Sequence, residues 1–190
     1  MSLNYPFWVN DFDRVRDHKQ NFPLASKIFE YPTAFWYGER NGKEMKDLDK
    51  SLKRLFKRTS PQLPVLVCYN LPNRDIGQYS KGGAKTKESY LNFIESFATG
   101  IGELSPIVIF EPDALPHLGE MEKQDREYRL ELMKEGLEIF TRLSKAHVYI
   151  DIGHSNWLSP LEASSLIGSV TNEYVRGFAV NVSNYRTSKE

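Results

Sequence analysis

The stretch IVIFEPD, residues 107–113, decides the fold because four apolar residues run directly into two carboxylates. A run this short, rich in β-branched and aromatic side chains, is typical of a strand that is buried on both faces of a parallel sheet. Residues 65–69 and 147–150 have the same character, and acids follow them at Asp75 and Asp151. Neighbouring parallel strands end at the same edge of a sheet, so we expect these acids to converge on a single site.

Helical patterns separate these runs. Apolar residues recur near a 3.6-residue period within residues 48–56, 90–101 and 133–140. Two weaker strand candidates are residues 33–37 and 177–180. The alternation of strand and helix predicts right-handed βαβ units. Because five strands do not close a barrel of about eight, the α/β fold is either an open sheet or part of a larger barrel.

A further helix is predicted after Ser159. The Ser159 hydroxyl can accept a backbone N–H, Glu162 can bond back, and Pro160 fits the first turn without losing a needed donor. We expect this helix to bury its apolar residues, which are Leu161, Leu166, Ile167 and Val170. Near the start of the chain, three aromatic residues predict an apolar arm that packs over the body: Tyr5, Phe7 and Trp8.

Length and charge bound the class of protein. A chain of 190 residues suits one domain with a substantial core. Lys plus Arg number 25 and Asp plus Glu number 25, so the balanced charge argues against a nucleic acid or an anionic membrane as partner. No run approaches the roughly 18 apolar residues of a membrane span, and the first residues lack a signal-peptide pattern. Aromatic residues make up 13% of the chain, which suits stacking on sugar faces.

Cysteine and histidine usage excludes several chemistries. Cys68 is the only cysteine, so we expect no intramolecular disulfide. It lies inside an apolar run and is predicted to be a small buried hydrophobe rather than a nucleophile. Metal-binding spacings such as His-x₃-His and Cys-x₂-Cys are absent, so we expect no metal or other cofactor. His154 follows Asp151, but no serine lies in a Gly-x-Ser-x-Gly elbow that would complete a triad.

Three polar segments admit both a structural and a chemical interpretation. Arg74 beside Asp75 is either a simple surface ion pair or part of a site. The two acids of residues 111–113 repel each other unless one is protonated or paired, and a raised pKa is what a general acid needs. Trp157, close to Asp151, is either a core tryptophan or a platform for a pyranose ring.

Taken together, five segments closely resemble, in order and spacing, the successive signatures of glycoside hydrolase family 6. They are residues 69–75, 80–83, 109–113, 149–157 and 181–185. Bacterial endoglucanases and cellobiohydrolases of that family cleave β-1,4-glucan with inversion of the anomeric centre. The resemblance runs from about Tyr5 to the last residue, and it implies a distorted parallel β/α (TIM-like) barrel that is incomplete in this chain.

The resemblance implies roles for three catalytic residues. Asp113 corresponds to the general acid, which protonates the glycosidic oxygen as the bond breaks. Asp75 corresponds to the aspartate that tunes this acid and relays a proton from the attacking water. Tyr69 corresponds to the tyrosine whose ring favours a distorted sugar at the point of cleavage. Arg74 and Glu111 would form the supporting network.

The resemblance also implies the substrate-binding residues, which are Trp36, Ser80, Asp151, His154, Trp157 and Asn184. The expected partner is β-1,4-glucan or a cello-oligosaccharide, with no nucleic acid, membrane or cofactor. Family members are typically secreted, so we expect an extracellular location. The short stretch of residues 75–86 favours an open, endo-type groove over an exo-type tunnel.

The chain departs from the family pattern in two places. Ile76 stands where the family usually has a cysteine, which pairs with one that follows the acid. The sequence ends soon after Tyr185, where family members continue through further strands. We therefore expect residues 1–190 to be a single catalytic-type domain that lacks the C-terminal strands of the barrel. A non-catalytic glucan-binding remnant is the alternative function.

Overall fold

The computed structural model describes residues 7–11, 21–22, 27, 29–39, 47–77 and 81–187. Its centre is a five-stranded sheet in which each strand pairs with the next one along the chain. The strands are β1 (Phe35–Tyr37), β2 (Leu66–Cys68), β3 (Ile107–Phe110), β4 (His147–Asp151) and β5 (Val175–Ala179). The five predicted strands are confirmed, and every pairing between them is parallel.

The strand order decides between an open sheet and a barrel. A doubly wound sheet reverses its strand order at a switch point, whereas the order here runs from β1 to β5 without reversal. That sequential order is the pattern of a β/α barrel, in which each connection returns the chain to the next strand. The sheet is thus part of a distorted parallel β/α barrel, and all its strands end on one side.

Helices connect successive strands on the described part of the chain. They are α1 (Leu48–Thr59), α2 (Lys87–Ile101), α3 (Lys123–Leu143) and α4 (Pro160–Val170). Helix α2 packs against both α1 and α3. Two short 3₁₀ turns, Asp75–Gly77 and Pro116–Glu120, follow β2 and β3. These turns lie at the carboxyl ends of the strands, where the predicted site is.

Helix α4 begins as its sequence predicts, but one residue points the other way. The Ser159 hydroxyl accepts the Glu162 N–H, and the Glu162 carboxylate accepts the Ser159 N–H, which confirms the capping box. Val170 is buried, whereas Leu161 is 81% exposed, so its predicted burial is wrong. At 3.6 residues per turn, Leu161 lies about 160° around the helix from the buried Ala163. The face that α4 buries therefore excludes its second residue.

Aromatic packing makes the core between the sheet and helices α1 to α3. The Phe140 ring contacts Phe97 on α2 and Phe110 on β3, with ring centroids 5.6 and 6.1 Å apart. Cys68 is fully buried beside them, which confirms its prediction as a core residue. Close packing of these rings restricts side-chain motion, so the ends of the strands have a rigid support.

The predicted N-terminal arm is confirmed for the two aromatic residues that the structure describes. Phe7 forms a parallel bridge with Leu63, and the Trp8 N–H donates to the Leu63 carbonyl at 3.0 Å. The Trp8 ring stacks on Phe35 of β1 at a centroid distance of 5.3 Å. Tyr5 lies outside the described residues. The arm thus covers the sheet beside β1.

The β5 side of the sheet carries exposed apolar surface. Phe178 and Val180 are more than half exposed. With α4 they form a groove of about 500 Å³ that is lined mostly by apolar side chains, including Ile152 and Ile167. Among the described helices, none has the length and apolar character needed to cross a membrane.

Candidate active site

The acids that follow the strands come together at the carboxyl edge of the sheet. Asp113 lies three residues after β3, and Asp151 is the last residue of β4. The Asp113 N–H donates to the Asp151 carboxylate at 2.8 Å, and the Gly153 N–H donates to the same oxygen at 3.1 Å. Asp75 begins the 3₁₀ turn after β2. Asp113 and Asp151 thus form one acidic cluster at the ends of β3 and β4, and Asp75 follows the neighbouring strand β2.

Two carboxylate oxygens in this cluster are buried without a hydrogen-bond partner among the described residues. They are Oδ1 of Asp113 and Oδ1 of Asp151. Asp113 is 2% exposed and Asp151 is fully buried. Burial is the main cause that raises the pKa of Asp151 to about 6, and the negative charge of Asp113 acts in the same direction. The backbone N–H groups of Asp113 and Gly153 oppose that rise.

Glu111 lies beneath the cluster as a fully buried carboxyl. It accepts hydrogen bonds from the backbone N–H groups of Asn70 and Leu71, each at 3.0 Å, and from the Cys68 thiol at 3.6 Å. Burial raises the pKa of Glu111 to about 7, against the effect of these donors. Glu111 is thus the acid of the 111–113 segment that is paired through hydrogen bonds, as expected from the repulsion between two neighbouring carboxylates.

The backbone around the acids is strained. Asp75, Ile76, Glu111 and Asp113 all have positive φ angles, of 58°, 40°, 46° and 66°. This left-handed region is unfavourable for side chains other than glycine and is least expected for a β-branched residue such as Ile76. Strained residues persist where the surrounding fold over-determines them, and they cluster at functional sites.

Tyr69 interacts electrostatically with the acids of two loops. Burial raises the pKa of its phenol well above the usual range, and the charges of Asp75 and Asp113 raise it further. Trp36 packs edge-on against the Tyr69 ring at a centroid distance of 5.5 Å. Because Trp36 is 46% exposed, its indole face is available to a ligand. An aromatic surface therefore borders the carboxylates.

Arg74 is built into the site rather than into a surface pair. Its guanidinium lies 4.5 Å from the Tyr69 ring centroid and donates to the Tyr69 carbonyl at 2.7 Å. It also lies 3.7 Å from the Glu39 carboxylate, and its side chain is 13% exposed. The interpretation as a simple surface ion pair is therefore wrong.

Glu39 links the carboxyl ends of β1 and β2 by hydrogen bonds. The sequence patterns did not predict this role. Its backbone N–H donates to the Asn70 side chain at 2.7 Å, and its carboxylate accepts the Gly83 N–H at 3.2 Å. Glu39 follows β1 in an otherwise unpatterned segment. Its position after a strand was the one available signal.

Arg129 and His117 are two further missed residues. Arg129 on α3 is 2% exposed and donates to the Asn73 carbonyl at 2.7 Å and to the Ala114 carbonyl at 3.4 Å. It thereby joins the turn after β2 to the turn after β3. His117 is buried in the 3₁₀ turn after β3. Both residues lie in segments where a charged side chain would ordinarily face solvent, so their sequence carries no signal.

The loop after β4 supplies an aromatic wall. Trp157 is partly buried, and its ring lies 5.4 Å from His154 and 4.9 Å from His117 between centroids. Gly153, with φ of 74°, allows the close approach of this ring. Trp157 is thus neither a core tryptophan nor fully exposed.

Two other binding residues were predicted from the sequence. Asn184 is exposed in the segment after β5, and Ser80 lies outside the described residues. Among the described part of the chain, no group of three or more histidine, cysteine, aspartate or glutamate side chains is arranged to hold a metal ion.

A partial parallel β/α barrel whose acids gather at the carboxyl ends of neighbouring strands defines a protein of the enzyme-barrel class. The chain belongs to the glycosyl hydrolases family 6, whose family model matches residues 9–190. The resemblance seen in the sequence is confirmed, and so is the barrel-type fold.

Two curated relatives illustrate the match. Endoglucanase A of Cellulomonas fimi is 37% identical over 169 residues, which cover 88% of this chain and 36% of the relative. Endoglucanase 1 of a Streptomyces species (strain KSM-9) is 33% identical over 176 residues, which cover 92% of this chain and 49% of the relative. The chain spans about half or less of the length of these curated relatives.

A solved structure gives the same fold. The endoglucanase Cel6 from Mycobacterium tuberculosis, in complex with methyl-cellobiosyl-4-deoxy-4-thio-β-D-cellobioside, superposes with a TM-score of 0.85 at 28% identity. The match covers 99% of this chain and 66% of that chain.

Proposed function

We propose that this chain provides the general acid of a site that hydrolyses β-1,4-glucosidic bonds in cellulose or a related β-glucan, with inversion of the anomeric centre. Asp113 is assigned as the general acid, and Asp75 as the residue that tunes it. The observation that carries the proposal is the buried, unpaired carboxylate oxygen of Asp113, a residue whose backbone N–H also donates to the Asp151 carboxylate. Leaving such an atom unpaired costs about 1–3 kcal/mol, so it is expected where a reaction partner arrives.

In the proposed reaction, Asp113 transfers its proton to the glycosidic oxygen while the bond from that oxygen to the anomeric carbon breaks. A water molecule attacks the opposite face of the anomeric carbon and gives up a proton, which Asp75 relays. Asp113 regains a proton from solvent before the next turnover. Attack from the opposite face inverts the anomeric centre and requires acid and base carboxyls roughly 6.5–9.5 Å apart.

The aromatic border supports a sugar as substrate. The half-exposed Trp36 offers a flat face, and the Tyr69 ring packs against it, where it can press on the sugar at the cleavage point. The names of the curated relatives quoted above support endo action as the finer part of the proposal. Because a polymeric glucan does not enter a cell, the proposal includes an extracellular location.

Reducing-sugar release from soluble carboxymethyl cellulose tests the acid assignment. The variant Asp113→Asn removes the proton that the leaving group needs, so we expect turnover to fall by about 10²-fold or more. Asp125→Asn is the matched control, because Asp125 is exposed on α3, and it should leave turnover unchanged. Equal sugar release by Asp113→Asn and the wild type would refute the assignment.

Two further measurements test inversion and the alternative function. The anomer released first by the wild type, read by NMR, should be α; a β product would refute inversion. Calorimetry with cello-oligosaccharides separates hydrolysis from simple binding. Binding by the wild type without any release of sugar would favour the glucan-binding remnant instead.

A further inference from the structure

A buried histidine touches the turns that follow three strands. His117 lies in the turn Pro116–Glu120 after β3, and its side chain is 4% exposed. Its Nε2 is 3.5 Å from Oδ1 of Asp75, in the turn after β2, and its Nδ1 is 3.2 Å from Oε1 of Glu120. Its ring makes a T-shaped contact with Trp157, in the loop after β4, at a centroid distance of 4.9 Å.

The two carboxylates compete for the protons of one ring. A neutral imidazole carries a single N–H and donates to only one carboxylate, whereas a ring with both protons donates to both. The Glu120 side chain is 47% exposed and can be solvated by water. The Asp75 side chain is 13% exposed, so its interaction with His117 is less screened by solvent. A proton on Nε2 therefore faces the less solvated of the two carboxylates.

The turn that holds Asp75 is strained, and His117 lies against it. Asp75 and Ile76 both have left-handed φ angles, and backbone strain of this kind persists only where neighbouring groups hold it. Nε2 of His117 makes no well-aligned hydrogen bond to the described residues at the present 3.5 Å. Hydrogen bonds of catalytic groups are often long in ligand-free sites and shorten when substrate binds.

We propose that His117 is a positioning residue, which orients the Asp75 carboxylate through Nε2–H and acts on the reaction only through Asp75. The Trp157 ring packs against the imidazole and restrains its plane. The inference rests on the hydrolase function proposed above. A displacement of about 1 Å in a catalytic group can cost on the order of 10²-fold in rate, so a loss of this restraint has a measurable effect.

Two amide variants of His117 separate positioning from simple packing. The amide nitrogen of glutamine reaches about as far as Nε2, whereas that of asparagine reaches about as far as Nδ1. We expect His117→Gln to keep kcat on carboxymethyl cellulose within about threefold of the wild type. His117→Asn should lose about 10- to 100-fold in kcat with KM changed less than about twofold. Gly119→Ala, on the same turn with open space around it, is the control.

Thermal unfolding of each variant shows whether stability explains the result. Both amide variants lose the ring that packs on Trp157, so similar melting temperatures are expected for them. If His117→Asn keeps its kcat, or if kcat follows the melting temperature in both variants, the positioning role is refuted.

A second experiment tests the contact between His117 and Asp75 and does not require an active wild type. In ¹⁵N-labelled protein, Asp75→Asn should shift the Nε2 resonance of His117, because the substitution removes the charge that Nε2 faces. Glu127→Gln, at an exposed site on α3, is the control and should leave that resonance in place. Absence of hydrolysis by the wild type would overturn the proposed function, whereas an unmoved Nε2 resonance in Asp75→Asn would overturn the contact itself.

Discussion

Replacing Glu111 by glutamine should change how stability depends on pH. The folded chain holds the pKa of Glu111 at about 7, against an ordinary value of 4.5. Between these two values the unfolded chain has lost the proton while the folded chain keeps it, so the free energy of unfolding falls as pH rises. The difference of 7 − 4.5 pH units at 1.36 kcal/mol each corresponds to a loss of about 3 kcal/mol by neutral pH.

Glutamine removes this ionisation but keeps an oxygen that can accept from the Asn70 and Leu71 N–H groups. Relative to the wild type, Glu111→Gln should therefore gain about 3 kcal/mol between about pH 4.5 and about pH 8. Asp151 contributes a slope of the same sign over a lower range, because its pKa is raised from 3.8 to about 6. Taking the difference between the variant and the wild type cancels that contribution.

Urea denaturation at a series of pH values measures this difference by linear extrapolation. Glu138→Gln, at an exposed position on α3, is the matched control and should follow the wild type at every pH. If the curves of Glu111→Gln and the wild type run parallel across this range, Glu111 does not ionise with a raised pKa in the folded chain.

Three other perturbations test different parts of the molecule. Trp36→Ala should weaken binding of cello-oligosaccharides by about 1 kcal/mol, or several-fold in Kd, by calorimetry; an unchanged Kd would exclude stacking at this residue. Gly153→Ala would bring a Cβ within 2.8 Å of the Trp157 ring at φ of 74°, so thermal unfolding should show a loss of about 2–4 kcal/mol, while Gly168→Ala, in open space on α4, should cost nothing. Arg129→Met leaves the buried Ala114 carbonyl and the more exposed Asn73 carbonyl without their donor and should cost about 1–3 kcal/mol in urea denaturation; a stability equal to the wild type would show that these bonds contribute nothing net.

Local patterns in the sequence predicted most of the fold, because each element carries its own signal. Short β-branched runs marked the strands, and the Ser159 capping box marked the start of α4. The burial of Leu161 was predicted wrongly because the helix pattern alone does not say which face meets the sheet. The strand order was also undecided, since βαβ units are compatible with both an open sheet and a barrel.

The residues that support the site could not be found in this way. Arg129 contacts the carbonyl of Asn73, which is 56 residues away in the chain. The relevance of His117 likewise depends on its contact with Asp75, which follows a different strand. A polar residue on a helix or turn has no sequence signal that distinguishes a buried bridge from a solvated surface group.

The sequence by itself determined where the acids stand, because a carboxylate directly after an apolar run must lie at the end of a strand. Only the tertiary structure decided the pKa of each acid. Glu111 and Asp151 have raised pKa values because the packed sheet removes them from water, and their opposing hydrogen bonds come from other parts of the backbone. Desolvation depends on contacts between distant parts of the chain, so no local pattern can encode it.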